Sequence, residues 1–454
     1  MLAHAWAEVI AAGKQSELGA LREQVCARIS QSANSAHDVI LVSWLRRELE
    51  HITCAHPRTE LASCMLDLAR ARHAAKAKFG DALASGMFAD VQGCQMATSA
   101  LAGQYRAAHA VRTAIAHGIA HIDDLCCGIG GDSMAIAAAM AASNIAGTLS
   151  LVDQDPMRIA MAEANVALVL GEARTKTHAC QTKGAVADVA EYIAHSDAPD
   201  RAIAVLDPAR RDAAGSRLWR LADLQPGPEV VAHAASKYAA LAVKLGPGIS
   251  DADLAELKFG IGACQPEWLS EDGQLTQCVI WTGLLASGEA GHHRATLLRE
   301  GQSPLILTGR PGQHIPVANW QAGKVATRYI VAADDAPERA GLLGALCMHS
   351  GLSMLHAAVG LWGADELPPA GGWFAPFEVL GSGAYSLRAA RDMLAANDAG
   401  IVEVKTRGGA VNPDQLQRQL RAKGDALLTL FVLRAEKEMR MIVARRVYGA
   451  GGQT

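Results

Sequence analysis

The fold of this protein is decided by one stretch of its sequence, Asp123-Asp124-Leu125-Cys126-Cys127-Gly128-Ile129-Gly130-Gly131-Asp132. A strand-like segment leads into a glycine-rich turn, and an alanine-rich segment typical of a helix follows. Because glycine lacks a Cβ atom, the backbone of such a turn can approach a ligand closely, and the first N–H groups of the helix favour polar or anionic groups. The stretch therefore predicts a cofactor-binding turn between a strand and a helix.

A second acidic residue supports this interpretation. The apolar run Leu151-Val152 ends in Asp153, at about the 20-residue spacing beyond the turn that is expected for a ribose-binding acid in a Rossmann-like βαβ unit. A carboxylate there can accept hydrogen bonds from both ribose hydroxyls. Asp155 is the alternative, although an Asp before Pro156 is also typical of a helix start. We expect Asp153 to bind the ribose.

The details of the turn favour S-adenosylmethionine over a dinucleotide. The dinucleotide pattern has a third glycine where this chain has Ser133. Asp124 precedes the turn, where it can face the sulfonium and ammonium of S-adenosylmethionine, whereas NAD carries a pyrophosphate. Cys126 and Cys127 are expected to be small packing residues of the turn rather than nucleophiles. The cofactor residues predicted in this stretch are Asp124, Cys126, Gly128 and Gly130.

These residues resemble the class I S-adenosylmethionine-dependent methyltransferases, specifically a bacterial group with a C-terminal THUMP-like domain. The resemblance spans most of the chain and is carried by Lys78-Phe79, Gln95-Met96-Ala97-Thr98, 124–132, 206–211, 244–248, Trp281-Thr282-Gly283 and 405–408. It implies an α/β fold with a Rossmann-like, seven-stranded methyltransferase sheet. It also implies that Asp188 contacts the adenine amino group, with a helix cap as the alternative. Gln277 stands where the family usually has an acid.

Composition and charge set limits on the class of protein. The chain has 454 residues, half of them apolar, which suggests two or three domains of a soluble globular protein. Ten cysteines without paired spacing favour reduced thiols and a cytoplasmic location. No signal peptide or membrane span is evident, the 16 histidines show no metal-ligand spacing, and no protein partner is indicated. We expect that the protein neither binds a metal ion nor inserts into a membrane.

The C-terminal region is basic although the net charge of the chain is −4. Residues 401–454 contain ten Lys or Arg residues against five acidic ones. Such a module favours RNA as a partner, and Lys405 and Arg407 are the residues predicted to contact it. A solvated helix and hairpin surface is the alternative.

Patterns along the chain predict four segments: a helical region 1–115, a cofactor-binding domain 116–300, a proline-rich linker 301–324 and a last domain 325–454, which the resemblance implies to be THUMP-like. Leu41, Leu45 and Leu49 are among the apolar residues at helical spacing in the first segment. The second alternates strands with helices, and we expect its runs 277–282 and 294–298 to form an antiparallel edge hairpin. In the last segment we predict a helix from Asn412 to Leu420, followed by paired strands at 427–433 and 439–443.

The leading active-site candidate is Asp207-Pro208-Ala209-Arg210, which follows the apolar run 203–206. Asp207 is thereby placed at the carboxyl edge of a strand, where open α/β sheets bind ligands. Methyl transfer is an in-line displacement, so the protein mainly aligns the nucleophile. Asp207 can accept a proton or hydrogen bond from an attacking amine, and Pro208 fixes the adjacent backbone. We predict Asp207, Pro208 and Arg210 as catalytic residues.

Two departures from the motifs of other methyltransferases limit the reactions that we expect this chain to catalyse. Amino-group methyltransferases have an aromatic residue where this chain has Arg210, so base stacking by an aromatic side chain is not supported. Uracil-5 methyltransferases need a cysteine soon after the next strand, but Lys244-Leu245-Gly246-Pro247 occupies that region, which disfavours their mechanism. We predict that Arg211, with Arg210, contacts substrate phosphate, and that Lys244 faces the same cleft. A surface pair with Asp212 is the alternative for the two arginines.

The sequence is compatible with two classes of function. The first is an S-adenosylmethionine-dependent methyltransferase that modifies RNA, with the basic C-terminal region supplying affinity. The second is a nucleoside-binding protein without catalysis, which the altered Asp-Pro-Ala-Arg motif motivates. A methyltransferase for a small-molecule or protein substrate also remains open, and a dehydrogenase is the least favoured.

Overall fold

The structure is a computed structural model that describes residues 2–31, 36–171, 180–196, 199–209, 221–315, 327–350, 352, 354–356, 360–367, 372–420, 422–435 and 438–447. Packing divides the chain into two compact units. The first comprises Met1–Gln265 with Cys278–Ala290, and the second comprises Pro266–Gln277 with Gly291–Thr454.

The first unit begins with helices. They are α1 (Leu2–Ala11), α2 (Glu17–Gln31), α3 (Ala36–Glu50), α4 (Arg58–Ala84), α5 (Val91–Met96) and α6 (Ala100–His117). Leu45 and Leu49 of α3 and Leu61 and Met65 of α4 are fully buried. The apolar residues at helical spacing therefore face the core, as predicted.

Parallel strands that alternate with helices follow. They are β1 (His121–Leu125), α7 (Gly131–Ala142), β2 (Gly147–Asp153), α8 (Pro156–Leu170), β3 (Cys180–Val186), α9 (Val189–His195), β4 (Ala202–Leu206), α10 (Pro228–Lys237), β5 (Ala240–Leu245) and α11 (Asp251–Ile261). The strands β4 and β5 are buried along their whole length. Complete burial is expected of parallel strands whose two faces are both covered by helices.

The strand order of this sheet is β3-β2-β1-β4-β5-β7, where β7 (Gln274–Thr282) runs antiparallel to β5. The order reverses at β1, since β2 and β3 lie on one side of it and β4 and β5 on the other. The ends of β1 and β4 are level, with Leu125 opposite Leu206. Such a reversal leaves a crevice at the carboxyl ends of the two strands, where open α/β sheets bind ligands.

The antiparallel hairpin differs from the predicted one. β6 (Cys264–Glu271) and β7 are joined by Asp272 and Gly273, whose φ angles of 49° and 84° are typical of a two-residue hairpin turn. The predicted hairpin partner, now β8 (His293–Leu298), instead pairs in parallel with β6. The prediction was wrong because β6 is not a continuous apolar run. It buries three polar residues, Gln265, Glu267 and Ser270.

With β6 included, the strands are those of the predicted seven-stranded methyltransferase sheet, and the α/β fold class is confirmed. β9 (Leu305–Gly309) pairs antiparallel with β8 and lies within the predicted linker 301–324. The domain boundaries at residues 115, 300 and 324 stay predictions.

The second unit contains a separate sheet with the order β11-β12-β10-β13-β16-β15-β14. Its elements are β10 (Tyr329–Ala333), α12 (Asp335–Arg339), α13 (Leu343–Ser350), β11 (Met354–His356), β12 (Leu361–Ala364), β13 (Phe374–Ala384), α14 (Leu387–Ala396), β14 (Ala399–Arg407), α15 (Pro413–Leu420), β15 (Ala426–Ala435) and β16 (Glu438–Arg446). Leu394 of α14 and Leu416 of α15 pack into one buried cluster with Leu428 and Leu430 of β15.

Two local predictions in this unit are confirmed. The side chain of Asn412 caps α15, because its Oδ1 accepts a hydrogen bond from the N–H of Gln415 at 2.9 Å. The predicted strand pair is β15 with β16, which run antiparallel.

Candidate active site

A cleft of about 890 Å³ opens in the first unit at the carboxyl ends of the parallel strands. It is lined by the glycine turn after β1, by the residues that follow β2, β3 and β4, by α5, and by residues between Gln225 and Val230. This volume lies in the range of small-molecule and cofactor sites. The cleft therefore has the size and the position expected for a nucleoside cofactor.

The glycine turn has the backbone that a close approach requires. Gly128 and Gly130 have φ angles of 55° and 84°, and Cys126 has a φ of 60°. At Gly128 the conformation alone favours glycine, because an added Cβ would meet nothing within 4 Å. At Gly130 the space is also limited, since a Cβ would lie 3.0 Å from the Cα of Ala162.

Asp153 at the end of β2 fixes this turn. Its Oδ2 accepts a hydrogen bond from the N–H of Gly128 and its Oδ1 accepts one from the N–H of Asp155, each at 3.0 Å. Burial raises the pKa of Asp153, against the effect of these two donors. Asp155 caps α8 by accepting a hydrogen bond from the N–H of Met157 at 2.8 Å. Asp155 is thus a helix cap, and Asp153 is the carboxylate that contacts the turn.

Asp188 also caps a helix. β3 ends at Val186, and Oδ1 of Asp188 accepts hydrogen bonds from Ala190 N–H at 2.8 Å and Glu191 N–H at 3.2 Å. The cap that the sequence left as the alternative is therefore present. Asp188 nevertheless lines the cleft, so its contact with adenine stays a prediction.

Two successive carboxyls of β1 lie on opposite faces of the sheet. Asp124 is buried, lines the cleft and accepts a hydrogen bond from the hydroxyl of Ser133 in α7. Burial and the neighbouring charge of Asp132 raise the pKa of Asp124 well above its usual range. Asp123 accepts hydrogen bonds on the other face from the hydroxyl of Tyr238 at 2.7 Å and from Nε2 of His121 at 2.8 Å.

A buried polar network connects the end of β4 with the start of α7. Nζ of Lys244 on β5 donates to Oδ2 of Asp207 at 2.5 Å and to Oγ1 of Thr98 at 2.9 Å. Oγ1 of Thr98 accepts a second hydrogen bond from Nη2 of Arg106 and donates to Oδ2 of Asp132, each at 2.8 Å. The hydroxyl thereby uses its one donor and both of its acceptor positions.

Arg106 completes the network through its guanidinium, which pairs with Oδ1 of Asp132. Burial alone would raise the pKa of Asp132, but the charges of Arg106 and Lys244 outweigh burial and lower it. Lys244, predicted as a substrate-binding residue, thus contacts protein groups, and its side chain is only 6% exposed. Asp207 is 23% exposed and lines the cleft, as does Pro208.

The backbone on both sides of Asp207 is fixed. The N–H of Asp207 donates to the carbonyl of Leu125 at 3.2 Å, and the N–H of Ala209 donates to the carbonyl of Gln225 at 2.7 Å. These bonds hold the Asp-Pro-Ala segment at the edge of the cleft. Arg210 and Arg211 lie outside the described residues.

The cysteines of the turn are not activated. Burial raises the pKa of both Cys126 and Cys127 well above the usual range, which disfavours the reactive thiolate. This agrees with their interpretation as packing residues of the turn.

Sequence reasoning missed Arg106 and did not assign a site role to Asp132 or Ser133. One signal was available for Arg106, which lies in α6 at helical spacing from the buried Ala102 and Ala110. A charged residue on the buried face of a helix indicates a buried partner. The partner itself is far away in sequence, so the pattern alone does not name it.

Lys405 and Arg407 lie on β14 of the second unit. Nζ of Lys405 is 3.2 Å from Oε1 of Glu403, and Nη2 of Arg407 is 3.1 Å from Oδ1 of Asp335. Both predicted RNA contacts therefore have acidic neighbours within their own unit.

Within the part of the chain that the structure describes, no three His, Cys, Asp or Glu side chains are grouped so as to hold a metal ion. No helix within those same ranges has the length and apolar character needed to cross a membrane.

The chain is similar to known proteins over its C-terminal region and over much of its length. A THUMP domain-like family model matches residues 375–446. An uncharacterized S-adenosylmethionine-dependent methyltransferase of Mycobacterium tuberculosis H37Rv is 32% identical over 284 residues, which cover 62% of this chain and 70% of the relative. The protein of strain CDC 1551 gives the same values. A solved structure from Porphyromonas gingivalis W83, assigned as a methyltransferase, shares the fold with a TM-score of 0.63 and 15% identity, covering 91% of this chain and 99% of that one.

Proposed function

The chain belongs to the S-adenosylmethionine-dependent methyltransferases, and we propose that it transfers a methyl group to RNA, with an amine nitrogen as the acceptor. One observation carries the proposal: Asp153 and Asp207 line the same cleft at the point where the strand order reverses. The first lies at the glycine turn, and the second lies where a nucleophile has to be aligned.

The residues of the cleft fit S-adenosylmethionine. Gly128 and Gly130 form a turn without side chains, and we assign the ribose to Asp153 and the adenine to Asp188. Asp124 faces the cationic end of the cofactor, together with the turn residue Cys126. When bound, the cofactor supplies an electrophilic methyl carbon on its sulfonium.

The acceptor side is proposed to depend on Asp207. Its carboxylate accepts a hydrogen bond from the N–H of the acceptor and thereby directs the nitrogen lone pair toward the cofactor. Lys244 keeps this carboxylate in place, and Pro208 restricts the backbone beside it. Arg210 and Arg211 are proposed to contact phosphate on the strength of sequence alone.

RNA is proposed as the substrate because of the THUMP domain-like region and the basic residues within it. Residues 401–454 hold twice as many basic as acidic residues, and Arg445 and Arg446 of β16 are exposed. Binding that depends on such residues weakens with salt, because Lys and Arg release counterions from phosphate. Each of the ten cysteines is a thiol outside any disulfide, which supports the proposal of a cytoplasmic location.

The proposal is tested by incubating the full chain with radiolabelled S-adenosylmethionine and total RNA from cells that lack this protein. We expect labelled RNA with the natural protein and none with Asp207→Ala. Nucleoside analysis by mass spectrometry then identifies the methylated atom. A folded protein that binds the cofactor but labels no RNA would instead support the second candidate, a nucleoside-binding protein without RNA methylation, which the arginine at position 210 motivates.

A further inference from the structure

The helix α5 forms a wall of the cofactor cleft although it precedes the sheet in sequence. Gln92, Gln95 and Met96 of α5 and the following Ala97 and Thr98 all line the cleft. A helix of six residues is too short to be stable in isolation. The position of this wall must therefore be set by contacts with the rest of the first unit.

The packing of α5 against the glycine turn is close. A Cβ atom added to Gly93 would lie 2.5 Å from Cγ2 of Ile129, which belongs to the turn. A Cβ atom added to Gly131 would lie 3.1 Å from the N atom of Thr98. Because the two segments touch at both places, a displacement of α5 alters the turn that holds the cofactor.

The first end of α5 is anchored by an aspartate. Oδ1 of Asp90 accepts a hydrogen bond from the N–H of Gly93 at 2.6 Å, which caps the helix. The guanidinium of Arg158 in α8 contacts both carboxylate oxygens of Asp90, at 2.5 and 2.9 Å.

The other end of α5 is anchored by Lys78 of α4. Its Nζ donates hydrogen bonds to the carbonyls of Cys94 at 2.9 Å, Gln95 at 2.7 Å and Ala97 at 3.0 Å. An ammonium has three donors, and all three are accounted for by carbonyls at the end of one helix, where the helix dipole is negative. Lys78 does not itself line the cleft.

From these contacts we infer that Lys78 is a positioning residue for the cofactor: it fixes the α5 wall against the glycine turn and thereby sets the affinity for S-adenosylmethionine. The N-terminal helices are then part of the cofactor site rather than an appended domain. The inference concerns binding of the cofactor and not the identity of the acceptor. It can therefore be wrong while the protein methylates RNA, and it can be right while the acceptor is not RNA.

The test is calorimetric titration of the full chain with S-adenosylmethionine. We expect Lys78→Met to raise the dissociation constant at least about tenfold, because three charge-assisted hydrogen bonds are lost. Lys78→Arg, which keeps a cation and several donors, is expected to recover most of the affinity. The matched control is Lys76→Met, since Lys76 lies in the same helix and pairs with the exposed Asp81 at 3.2 Å. It should bind within about twofold of the natural protein.

A general loss of stability is separated from positioning by two further measurements. Leu45→Ala removes a buried side chain of α3 and should lower the melting temperature without changing the affinity for S-adenosylmethionine. Hydrogen exchange should show faster amide exchange at residues 94–98 in Lys78→Met without the cofactor, and unchanged exchange there in Leu45→Ala. If Lys78→Met does not fold, Lys78→Gln is measured in its place. Affinity within about twofold of the natural protein in a folded Lys78 variant lacking the cation would overturn the inference, as would an equal loss in Leu45→Ala.

Discussion

The cleft of the first unit and strand β14 of the second unit hold their charged residues in opposite ways. In the buried network beside the cleft, Lys244 and Arg106 are almost completely buried and each contacts a carboxylate and Thr98. On β14, Lys405 is 33% exposed and its partner Glu403 is 48% exposed. Exposed ion pairs contribute about 0 to 1 kcal/mol, whereas removing one partner of a buried pair costs about 3 to 5 kcal/mol. An ion pair is therefore expected to be important for stability in the buried network and to contribute little to stability on β14.

The largest effect is expected for Lys244→Met. The change leaves the carboxylate of Asp207 without its cation and removes one of the two hydrogen bonds that Thr98 accepts, so we expect the free energy of unfolding to fall by about 3 kcal/mol. Urea denaturation measures this loss. The affinity for S-adenosylmethionine should stay within about threefold of the natural value, while methyl transfer to RNA should fall by at least about 100-fold.

If Lys405→Met lowers the free energy of unfolding as much as Lys244→Met does, the difference between the buried pair and the exposed pair is contradicted. The double variant Lys244→Met/Asp207→Asn provides the internal control, because it removes both charges of the pair. It should be more stable than the sum of the two single changes predicts.

A somewhat smaller effect is expected for Asp153→Ala. The carboxylate would no longer accept hydrogen bonds from the two ribose hydroxyls, and we expect S-adenosylmethionine to bind roughly 100-fold more weakly in calorimetric titration. Asp155→Ala is the matched control. It removes the cap of α8 and should lower stability by about 1 kcal/mol with little change in affinity. Equal losses of affinity for S-adenosylmethionine in both variants would show that Asp153 does not bind the ribose.

Asp124 is expected to make the affinity for S-adenosylmethionine depend on pH, by up to about tenfold per pH unit. Its raised pKa means that the unfolded chain loses this proton first, above about pH 4, so the contribution of Asp124 to stability falls as the pH rises toward the folded pKa. A cationic cofactor favours the ionised carboxylate, so its binding should release a proton, and affinity should increase with pH in that window.

Calorimetry in buffers of different ionisation enthalpy measures this proton. Asp124→Asn should bind S-adenosylmethionine without the proton release. An identical release in the natural protein and in the variant would show that the cationic end of the cofactor is not near Asp124.

The smallest effect is expected for Lys405→Ala. Stability should change by less than about 1 kcal/mol, because the pair with Glu403 is exposed. If the side chain contacts a phosphate, the salt dependence of RNA binding should lose about one unit of slope. Filter binding at several salt concentrations measures the slope, and an unchanged slope would remove Lys405 from the RNA-binding residues.

Local patterns in the sequence were sufficient for much of the fold. The glycine turn, the acid at the end of β2 and the cap at Asn412 are each encoded within a few neighbouring residues, and the structure has all three. The family model and the relatives agree with the resemblance that those motifs indicated, and with S-adenosylmethionine as the cofactor.

What failed depends on contacts between residues far apart in sequence. β6 was missed because Glu267 is buried in that strand, and a buried carboxylate interrupts the apolar pattern that predicts a strand. The network around Thr98 was missed for a related reason. Its members come from positions 98, 106, 132, 207 and 244, and no spacing rule joins them.

The two consecutive aspartates of β1 have a consequence for folding accuracy. Successive residues of a strand point to opposite faces, and here one face offers two tyrosines and His121 to Asp123 while the other offers Ser133 to Asp124. A shift of the strand by one residue would place one aspartate in the position of the other, but it would move the second aspartate away from the hydroxyl groups that donate to it. The correct register of the central strand is therefore favoured by hydrogen bonds of the two aspartates on opposite faces as well as by the burial of apolar side chains.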